Sequence, residues 1–315
     1  MCESYQMIFR YAFLKQYPVV FRSCTGLTPT EFELYVDPLI IQLAETENKR
    51  LESRENRQRA VGGGRKAELS LTNQLLLTLV WLRLYPTYEV LGYFFKISDS
   101  SAYRVVKSCL PILEASGYQQ MERSKAHASR KRGYKLDQIF DQIPGLVVIV
   151  DAFEQQIERP TNQDEADRYY SRKRKDYRLK SQITVDAYTA EILDVAPSLN
   201  GRRQDKGYFN ESGVTARLPD DTSYMADLGY PGLDKELERG RIPRKKPRDK
   251  PRPEADKEYN KIFSRARVPV EHSIERLRSY KSLNDRDRHH RQMHHERVVA
   301  VAGIVDFTKR QRYVY

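Results

Sequence analysis

The sequence predicts an α+β protein, in which an all-α N-terminal part precedes a three-layered α/β/α domain. Three observations support this prediction. Apolar residues at helical spacing, with recognisable helix caps, dominate residues 28–110. A β-branched run at 146–150 and two later segments at 179–197 and 223–227 have the composition of strands. Helical spacing then returns from about residue 257 to the end of the chain.

Composition favours nucleic acid as the partner. Of 315 residues, 55 are Lys or Arg and 43 are Asp or Glu, which gives a net charge of +12. A basic surplus of this size indicates a polyanion, either nucleic acid or an anionic membrane surface. No apolar run approaches ~18 residues, and the N-terminus lacks a signal-peptide layout. The three cysteines predict neither disulfides nor zinc, so we expect a protein of the reducing cytoplasm without membrane contact.

The first long helix is predicted to begin at Thr28, which with Glu31 forms a capping box. A charged segment follows it, and three glycines at 62–64 then precede Arg65 and Lys66. Two interpretations of this stretch remain open. It is a plain linker, or it is an arm that lays Arg65 into a narrow DNA minor groove.

Residues 70–110 have the layout of a helix-turn-helix. An apolar helix at 70–84 ends at Tyr85, a short helix covers 87–95, and a third helix is predicted from 100 to 110. Such a unit presents the start of its last helix to the DNA groove or backbone. The side chains expected there are Ser100, Ser101, Tyr103, Arg104 and Lys107.

A basic connector at 125–135 precedes the first predicted strand, so we place a domain boundary near residue 135. The predicted organisation is an N-terminal helical region with a basic, glycine-rich linker (1–67), a helix-turn-helix DNA-binding domain (68–135) and a catalytic domain (136–315).

The catalytic prediction starts from acids at the ends of strands. The run 146–150 is typical of a strand buried on both faces, and it stops at Asp151. A carboxylate there carries a large desolvation cost unless the strand opens onto a polar cleft or a metal. A hairpin follows at 179–197, and a further strand ends on Asp227. Between the first strand and the hairpin lies a basic run suited to the DNA backbone, made of Arg172, Lys173, Arg174 and Lys175.

The order of the predicted elements is that of a ribonuclease-H-like fold. A strand comes first, then a hairpin, then a second strand that ends on an acid, and finally helices that carry Glu271. In that fold two acids lie on neighbouring strands, and a third reaches in from a helix. Phosphodiester transfer needs two divalent cations, which activate the attacking oxygen and stabilise the leaving one. Carboxylates are the ligands that Mg²⁺ prefers.

Several stretches together resemble the motifs of DDE transposases, in the insertion-sequence-five-like group related to Harbinger elements. The helix-turn-helix stretch at 71–110 is also similar to that of the group, and the resemblance covers roughly residues 60–310. The catalytic-domain motifs are Val150–Pro160, Tyr170–Lys175 with Leu179–Gln182, Ala226–Tyr230 and Arg267–Ile274.

This resemblance implies that Asp151, Asp227 and Glu271 hold two Mg²⁺ ions, with Mn²⁺ as a substitute. It implies that Arg267 and Arg278 contact DNA near these acids. The implied protein is a transposase associated with the bacterial nucleoid. It binds terminal inverted repeats, cleaves the strands and joins the 3′ hydroxyl to target DNA as a synaptic homodimer.

Three departures from the group bear on whether the enzyme is fully active, and two alternatives to an active transposase also stay open. The group commonly has Lys at the position of Leu228, a His-Asp pair at Gln204-Asp205 and Tyr at the position of Ser264. The alternatives are an inactive DNA-binding regulator and a nuclease without strand transfer.

Other acids and histidines give weaker hypotheses. Glu275 lies one helical turn beyond Glu271 and is its substitute as third acid. Asp186 and Asp194 are interpreted as solvated strand ends. The remaining cluster is predicted to be a basic DNA-facing surface rather than a zinc site. It comprises His289, His290, His294 and His295, interleaved with Arg286, Arg288, Arg291 and Arg297.

Overall fold

The structure is a computed structural model that describes residues 9–53, 67–128, 136–140, 145–289 and 291–313. The described residues form two compact units. Unit 1 takes its residues from 1–118, 279–282 and 299–315, and unit 2 from 119–278 and 283–298. The predicted boundary at residue 135 lies outside the described residues, as do Arg65 and Lys66. The three-domain division therefore stays a prediction.

The elements follow one another as the sequence pattern indicates, with helices first, then mixed strands and helices. The helices are α1 (Tyr11–Leu14), α2 (Pro18–Thr25), α3 (Pro29–Glu52), α4 (Leu71–Leu84), α5 (Tyr88–Phe95), α6 (Asp99–His127), α7 (Gln163–Tyr169), α8 (Asp205–Ser212), α9 (Leu233–Glu236), α10 (Glu254–Arg278), α11 (Lys281–Asn284) and α12 (Gln292–Tyr313). The strands are β1 (Val147–Gln156), β2 (Tyr170–Ser171), β3 (Asp176–Asp186), β4 (Ile192–Val195), β5 (Leu199–Asn200), β6 (Ser223–Met225) and β7 (Gly240–Arg241).

Unit 1 is helical and is packed around α4. The residues of α4 from Leu75 to Leu82 are all buried, because α2, α3 and α5 pack against it. The predicted capping box at the start of α3 is confirmed. Thr28 N donates to Glu31 Oε2 at 2.7 Å, and Glu31 N donates to Thr28 Oγ1 at 3.2 Å. No helix within the described ranges is both long and apolar enough to cross a membrane.

Helices α4, α5 and α6 form the predicted helix-turn-helix. The turn between α5 and α6 starts at Lys96, whose φ is +49°. Its carbonyl groups pass close to α5, so that a Cβ at Gly92 would lie 2.7 Å from the Ile97 oxygen. Ser98 then accepts a hydrogen bond from Ser101 N and so caps α6.

The predicted end of the third helix at residue 110 is wrong, because α6 continues to His127 through Pro111. A proline inside a helix removes one backbone hydrogen bond and strains the preceding turn. Residues beyond it, including Leu113 and Met121, are buried. Their burial offsets the local cost of the proline.

Unit 2 is built on a sheet with the order β2-β3-β1-β6-β7. Strand β3 is antiparallel to β1, whereas β6 and β7 run parallel to it. The prediction that the first strand ends at Asp151 is wrong. The strand continues to Gln156, because β3 pairs with it as far as Gln156↔Arg178. The pairing of β1 with β6 ends at Ile149, so Asp151 lies just beyond it on the edge of β1 that faces β6.

The two faces of β1 contact different helical layers, as expected from the alternation of side chains along a strand. Val148 and Val150 belong to a buried cluster with Phe209 of α8. Asp151 and Phe153 have the opposite parity and contact α10 through Arg267 and Arg278. The predicted fold class, an all-α N-terminal part followed by an α/β/α part, is confirmed.

The interpretation of Asp186 and Asp194 as solvated acids is wrong. Asp186 is fully buried at the end of β3, where its carboxylate accepts hydrogen bonds from Tyr188 N and Thr189 N. Asp194 is buried on β4 and accepts two hydrogen bonds from Arg217. Both acids are therefore satisfied within the fold.

Candidate active site and DNA-binding surfaces

Asp151 is a half-buried carboxylate in the middle of β1. Arg267 Nη2 donates to its Oδ2 at 2.9 Å, and Ala152 N donates to its Oδ1 at 2.8 Å. Burial raises the pKa of Asp151 to about 6; Arg267 opposes this rise, while the charges of Asp227 and Asp205 add to it. A carboxyl group in this setting gains from a nearby cation when it is ionised.

Asp227 follows β6 and lies beside a second aspartate. Gly229 N donates to Asp227 Oδ1 at 2.7 Å. A Cβ placed on Gly229 would lie 2.8 Å from Asp227 Oδ1 and 2.8 Å from Asp205 Oδ2. Both oxygens are therefore close to the same point. The charges of Asp227 and Asp205 both act on Asp151, and we call these three carboxylates the acidic cluster.

Asp205 belongs to this acidic cluster but was not predicted from the sequence. In the sequence it stands out only as part of the Gln204-Asp205 pair, where the family pattern has His-Asp. It lies in the first turn of α8, away from any strand, so no periodicity marks it. The signal that could have singled it out is its place in that pair.

Glu271 is not brought into contact with the other two predicted acids. It is exposed on α10, one helical turn after Arg267, and the described residues show no bond between it and Asp151 or Asp227. Residues four apart lie on the same helix face. Glu271 thus shares the face of α10 whose Arg267 contacts β1. Glu275, its substitute, is also exposed.

The residues fit divalent cations in their chemistry. The cluster offers carboxylate oxygens, the ligands that Mg²⁺ prefers, and Mg²⁺ is commonly held by one or two carboxylates with water and substrate phosphate. In the part of the chain that the structure describes, no three His, Cys, Asp or Glu side chains are grouped closely enough to hold a metal by themselves. The paired oxygens at Gly229 and the desolvated Asp151 are the features that suit a cation.

The predicted DNA-contacting residues of unit 1 lie at the start of α6. Ser100, Tyr103, Arg104 and Lys107 are exposed at spacings of three and four, so they form one face of the helix. Ser101 is half-buried, because its backbone and hydroxyl bond to the capping Ser98. We call this exposed set the α6 face. Its role in DNA binding stays a prediction.

In unit 2, the predicted basic residues also lie at the surface. Arg172, Lys173, Arg174 and Lys175 are all exposed in the turn that joins β2 to β3. Arg278 is exposed at the end of α10, with its guanidinium 6.0 Å from the ring of Phe153. Arg267 differs from these residues, since it is half-buried and holds Asp151.

The prediction of a DNA-facing histidine and arginine surface is wrong for two of its members. His294 is fully buried and bonds to Ser198 Oγ at 2.8 Å and Gln155 Oε1 at 2.9 Å. Burial lowers its pKa to about 3, so it is neutral. Arg297 is fully buried and donates to Asp287. His290 lies outside the described residues.

Comparison with known proteins gives family matches in both the helical and the sheet-containing parts of the chain. The family described as "DDE superfamily endonuclease" matches residues 150–306, and "Helix-turn-helix of DDE superfamily endonuclease" matches residues 67–119. A "probable transposase for insertion sequence element IS702" from Microchaete diplosiphon is 26% identical over 287 residues, which are 91% of this chain and 93% of that protein.

A second relative is the "putative transposase for insertion sequence element IS112" from Streptomyces albus G. It is 28% identical over 232 residues, which are 72% of this chain and 76% of that protein. No solved structure gives a significant match.

Proposed function

Because this chain belongs to the DDE-type insertion-sequence transposases with an N-terminal helix-turn-helix, we propose that it cuts and joins the DNA ends of its own element. The helix-turn-helix binds the terminal inverted repeats. Unit 2 hydrolyses a strand at each end and transfers the freed 3′ hydroxyl to target DNA. The observation that supports this most directly is the half-buried Asp151 beside Asp227 in the region matched by the endonuclease family.

The proposed cation ligands are Asp151, Asp227 and Glu271. Two Mg²⁺ ions, or Mn²⁺ in their place, would activate the attacking oxygen and stabilise the leaving oxygen of the phosphodiester. Asp151 and Asp227 would fix the position of the cations on the sheet. Glu271 would approach them from the face of α10 that already contacts β1. Both strands and the helix are rigid elements, which suits a site that must hold its geometry.

The remaining residues bind and orient DNA in this proposal. Arg267 holds Asp151 now and has further guanidinium donors with which to bind a phosphate oxygen. Arg278 and the turn formed by Arg172, Lys173, Arg174 and Lys175 neutralise the backbone nearby. The α6 face reads the terminal repeat, and two copies of the chain hold the two ends together.

The test is cleavage of DNA that carries the ends of the element, with Mg²⁺ or Mn²⁺. Asp151→Asn, Asp227→Asn and Glu271→Gln keep the side-chain shape and remove the charge. We expect each to abolish cutting while terminal DNA is still bound. Glu275→Gln is the matched control, since it makes the same change one turn along the same helix, and it should cut normally.

Other outcomes point to the alternatives. Cutting by Glu271→Gln but not by Glu275→Gln would move the third acid to Glu275. Wild-type protein that cuts the ends but never joins them to a target plasmid would be a nuclease without strand transfer. Wild-type protein that binds the ends and cuts with neither metal would be a DNA-binding regulator.

A further inference from the structure

Asp205 occupies a specific position between a buried cation and the acidic cluster. Its Oδ1 accepts a hydrogen bond from Lys180 Nζ at 2.8 Å. Its other oxygen, Oδ2, faces Gly229, where an added Cβ would lie 2.8 Å from this oxygen and 2.8 Å from Asp227 Oδ1. One oxygen of this carboxylate is therefore held by the protein, and the other is directed into the cluster.

Lys180 is placed so that it fixes the position of Asp205. It lies on β3 opposite Glu154 of β1 and is only 6% exposed. Its ammonium group donates to the Arg203 carbonyl oxygen at 2.7 Å as well as to Asp205, and it lies 3.6 Å from Glu154 Oε1. The lysine thus anchors both the carboxylate and the backbone just before α8 to the central strands.

The buried side-chain amide of Gln182 is a second, independent observation. Gln182 is 1% exposed, and among the described residues its side-chain Nε2 has no hydrogen-bond partner. Its Oε1 accepts from the Tyr230 hydroxyl at 3.4 Å. Burial raises the pKa of Tyr230 far above its usual value, and the charges of Asp205, Asp151 and Asp227 raise it further. Gln182 therefore bonds to a tyrosine on which the charges of all three carboxylates act, and its own amide donor is open.

We propose that Asp205 is a further carboxylate of the cation-binding set, paired with Asp227 across Gly229, and that Lys180 is its positioning residue. This inference rests on the proposed function of the same site. A pair of carboxylates with water and substrate phosphate is a sufficient ligand set for Mg²⁺. A bound cation would also account for the two like charges that face Gly229, since Lys180 offsets only the charge of Asp205.

The competing explanation is that Asp205 only neutralises Lys180. A buried ammonium group needs a partner, and removal of that partner destabilises a fold whether or not a metal is involved. The two explanations make different predictions about a double variant. If Asp205 serves only as a counterion, Lys180→Met should compensate for Asp205→Asn in every property.

The experiment measures Mn²⁺ binding to the full-length protein without DNA, from the electron paramagnetic resonance signal of free Mn²⁺. Thermal unfolding of each variant is followed in parallel. We expect Asp205→Asn to weaken Mn²⁺ binding about tenfold or more, at least the loss typical of removing even an outer partner of a metal site. Asp164→Asn is the matched control, because it alters an exposed aspartate in the first turn of α7, and it should bind Mn²⁺ as the wild type does.

The double variant Lys180→Met with Asp205→Asn should recover thermal stability without recovering Mn²⁺ affinity. Recovery of both, or unchanged affinity in Asp205→Asn while Asp151→Asn loses binding, would overturn the role of Asp205 and leave the proposed function standing. Unchanged Mn²⁺ binding in Asp151→Asn and Asp227→Asn would instead overturn the proposed cation site itself, and the inference with it.

Discussion

At the scale of single residues, Gly229 sets how closely Asp205 and Asp227 approach. An added Cβ would lie 2.8 Å from one oxygen of each. Real Cβ atoms do not approach oxygens so closely, so Gly229→Ala must push the carboxylates apart. We expect this substitution to weaken Mn²⁺ binding about tenfold, as loss of supporting geometry does at other metal sites. Calorimetric titration of the full chain with Mn²⁺ measures this effect.

Gly207→Ala is the matched control for that substitution. Gly207 lies two residues beyond Asp205 in α8, and a Cβ there would meet only the side chain of Arg203, at 3.5 Å. Alanine is favoured over glycine inside a helix by up to ~1 kcal/mol. Unchanged Mn²⁺ affinity and an equal or higher unfolding temperature are expected. Equal Mn²⁺ affinity in the two alanine variants would contradict the crowding argument.

Sequence patterns locate some of these residues and not others, for a physical reason. Asp151 and Asp227 each end an apolar run, and a run of that kind is visible in a single sequence. Asp194 looks solvated in the sequence, because its partner Arg217 is distant in the chain. Asp205 escapes notice for the same reason, since Lys180 reaches it only after β3 and α8 have packed.

At the scale of secondary-structure elements, the α6 face should carry the affinity of unit 1 for DNA. Arg104 and Lys107 are exposed one turn apart near the start of the helix. We expect Arg104→Ala and Lys107→Ala to weaken binding to terminal DNA. Each should also reduce the slope of log affinity against log salt by ~0.9 for every phosphate that the variant no longer neutralises. Fluorescence anisotropy at several salt concentrations measures both quantities.

Arg123→Ala is the control for charge alone, because Arg123 is an exposed arginine further along α6. It removes the same charge from a part of the helix outside the α6 face. If Arg123→Ala reduced affinity and salt slope as much as Arg104→Ala does, binding would depend on net charge and not on this face.

A buried ion pair ties the segment before α12 to β1. Asp287 N donates to the Gln156 carbonyl oxygen at 2.7 Å, and the Asp287 carboxylate accepts from buried Arg297. Burial opposes ionisation of Asp287, but Arg297 and the His289 backbone outweigh it and hold the pKa below its usual value. Asp287→Asn leaves Arg297 buried without a counterion, which should cost roughly 3–5 kcal/mol.

The pH dependence of that loss follows from the lowered pKa. Because the carboxylate is favoured in the folded state, its contribution is present above the unfolded value near ~4 and is lost as pH falls below it. Urea unfolding of wild type and Asp287→Asn should therefore differ most near neutral pH and converge as pH falls through the lowered pKa of Asp287 in the folded protein. A gap that stays constant over this range would show that the ion pair does not supply the stability.

Element ends are predicted less well than element types. Capping chemistry is local, so the start of α3 at Thr28 and Glu31 could be predicted from four consecutive residues. The ends of α6 and β1 depend on partners elsewhere. Pro111 is tolerated because the residues after it are buried, and β1 passes Asp151 because β3 pairs with it to Gln156.

At the scale of the whole molecule, the chain divides into units that are not continuous in sequence. Residues 279–282 and 299–315 belong to unit 1, although they follow most of unit 2. Periodicity and charge show where helices and strands lie, but contacts between distant segments decide which segments share a core. Fold class was therefore predictable from the sequence, and the composition of the units was not.

The functions proposed for the two units should be separable by substitution in the full-length chain. We expect Arg104→Ala to weaken terminal DNA binding without changing Mn²⁺ affinity, and Asp227→Asn to weaken Mn²⁺ binding without changing DNA affinity. Effects at independent sites add to within ~0.5 kcal/mol. The double variant should therefore show the sum of the two losses in each measurement, when DNA binding is measured with EDTA and Mn²⁺ binding without DNA.

A deviation from that sum larger than ~0.5 kcal/mol would mean that the two sites are energetically coupled in the free protein. The same titration repeated with terminal DNA present then tests coupling in the complex, since a phosphate oxygen can complete the ligand set of a bound cation. We expect terminal DNA to raise the Mn²⁺ affinity of the wild type and of Arg123→Ala, and not that of Asp227→Asn. An equal rise in Asp227→Asn would place the DNA-dependent Mn²⁺ binding away from the acidic cluster.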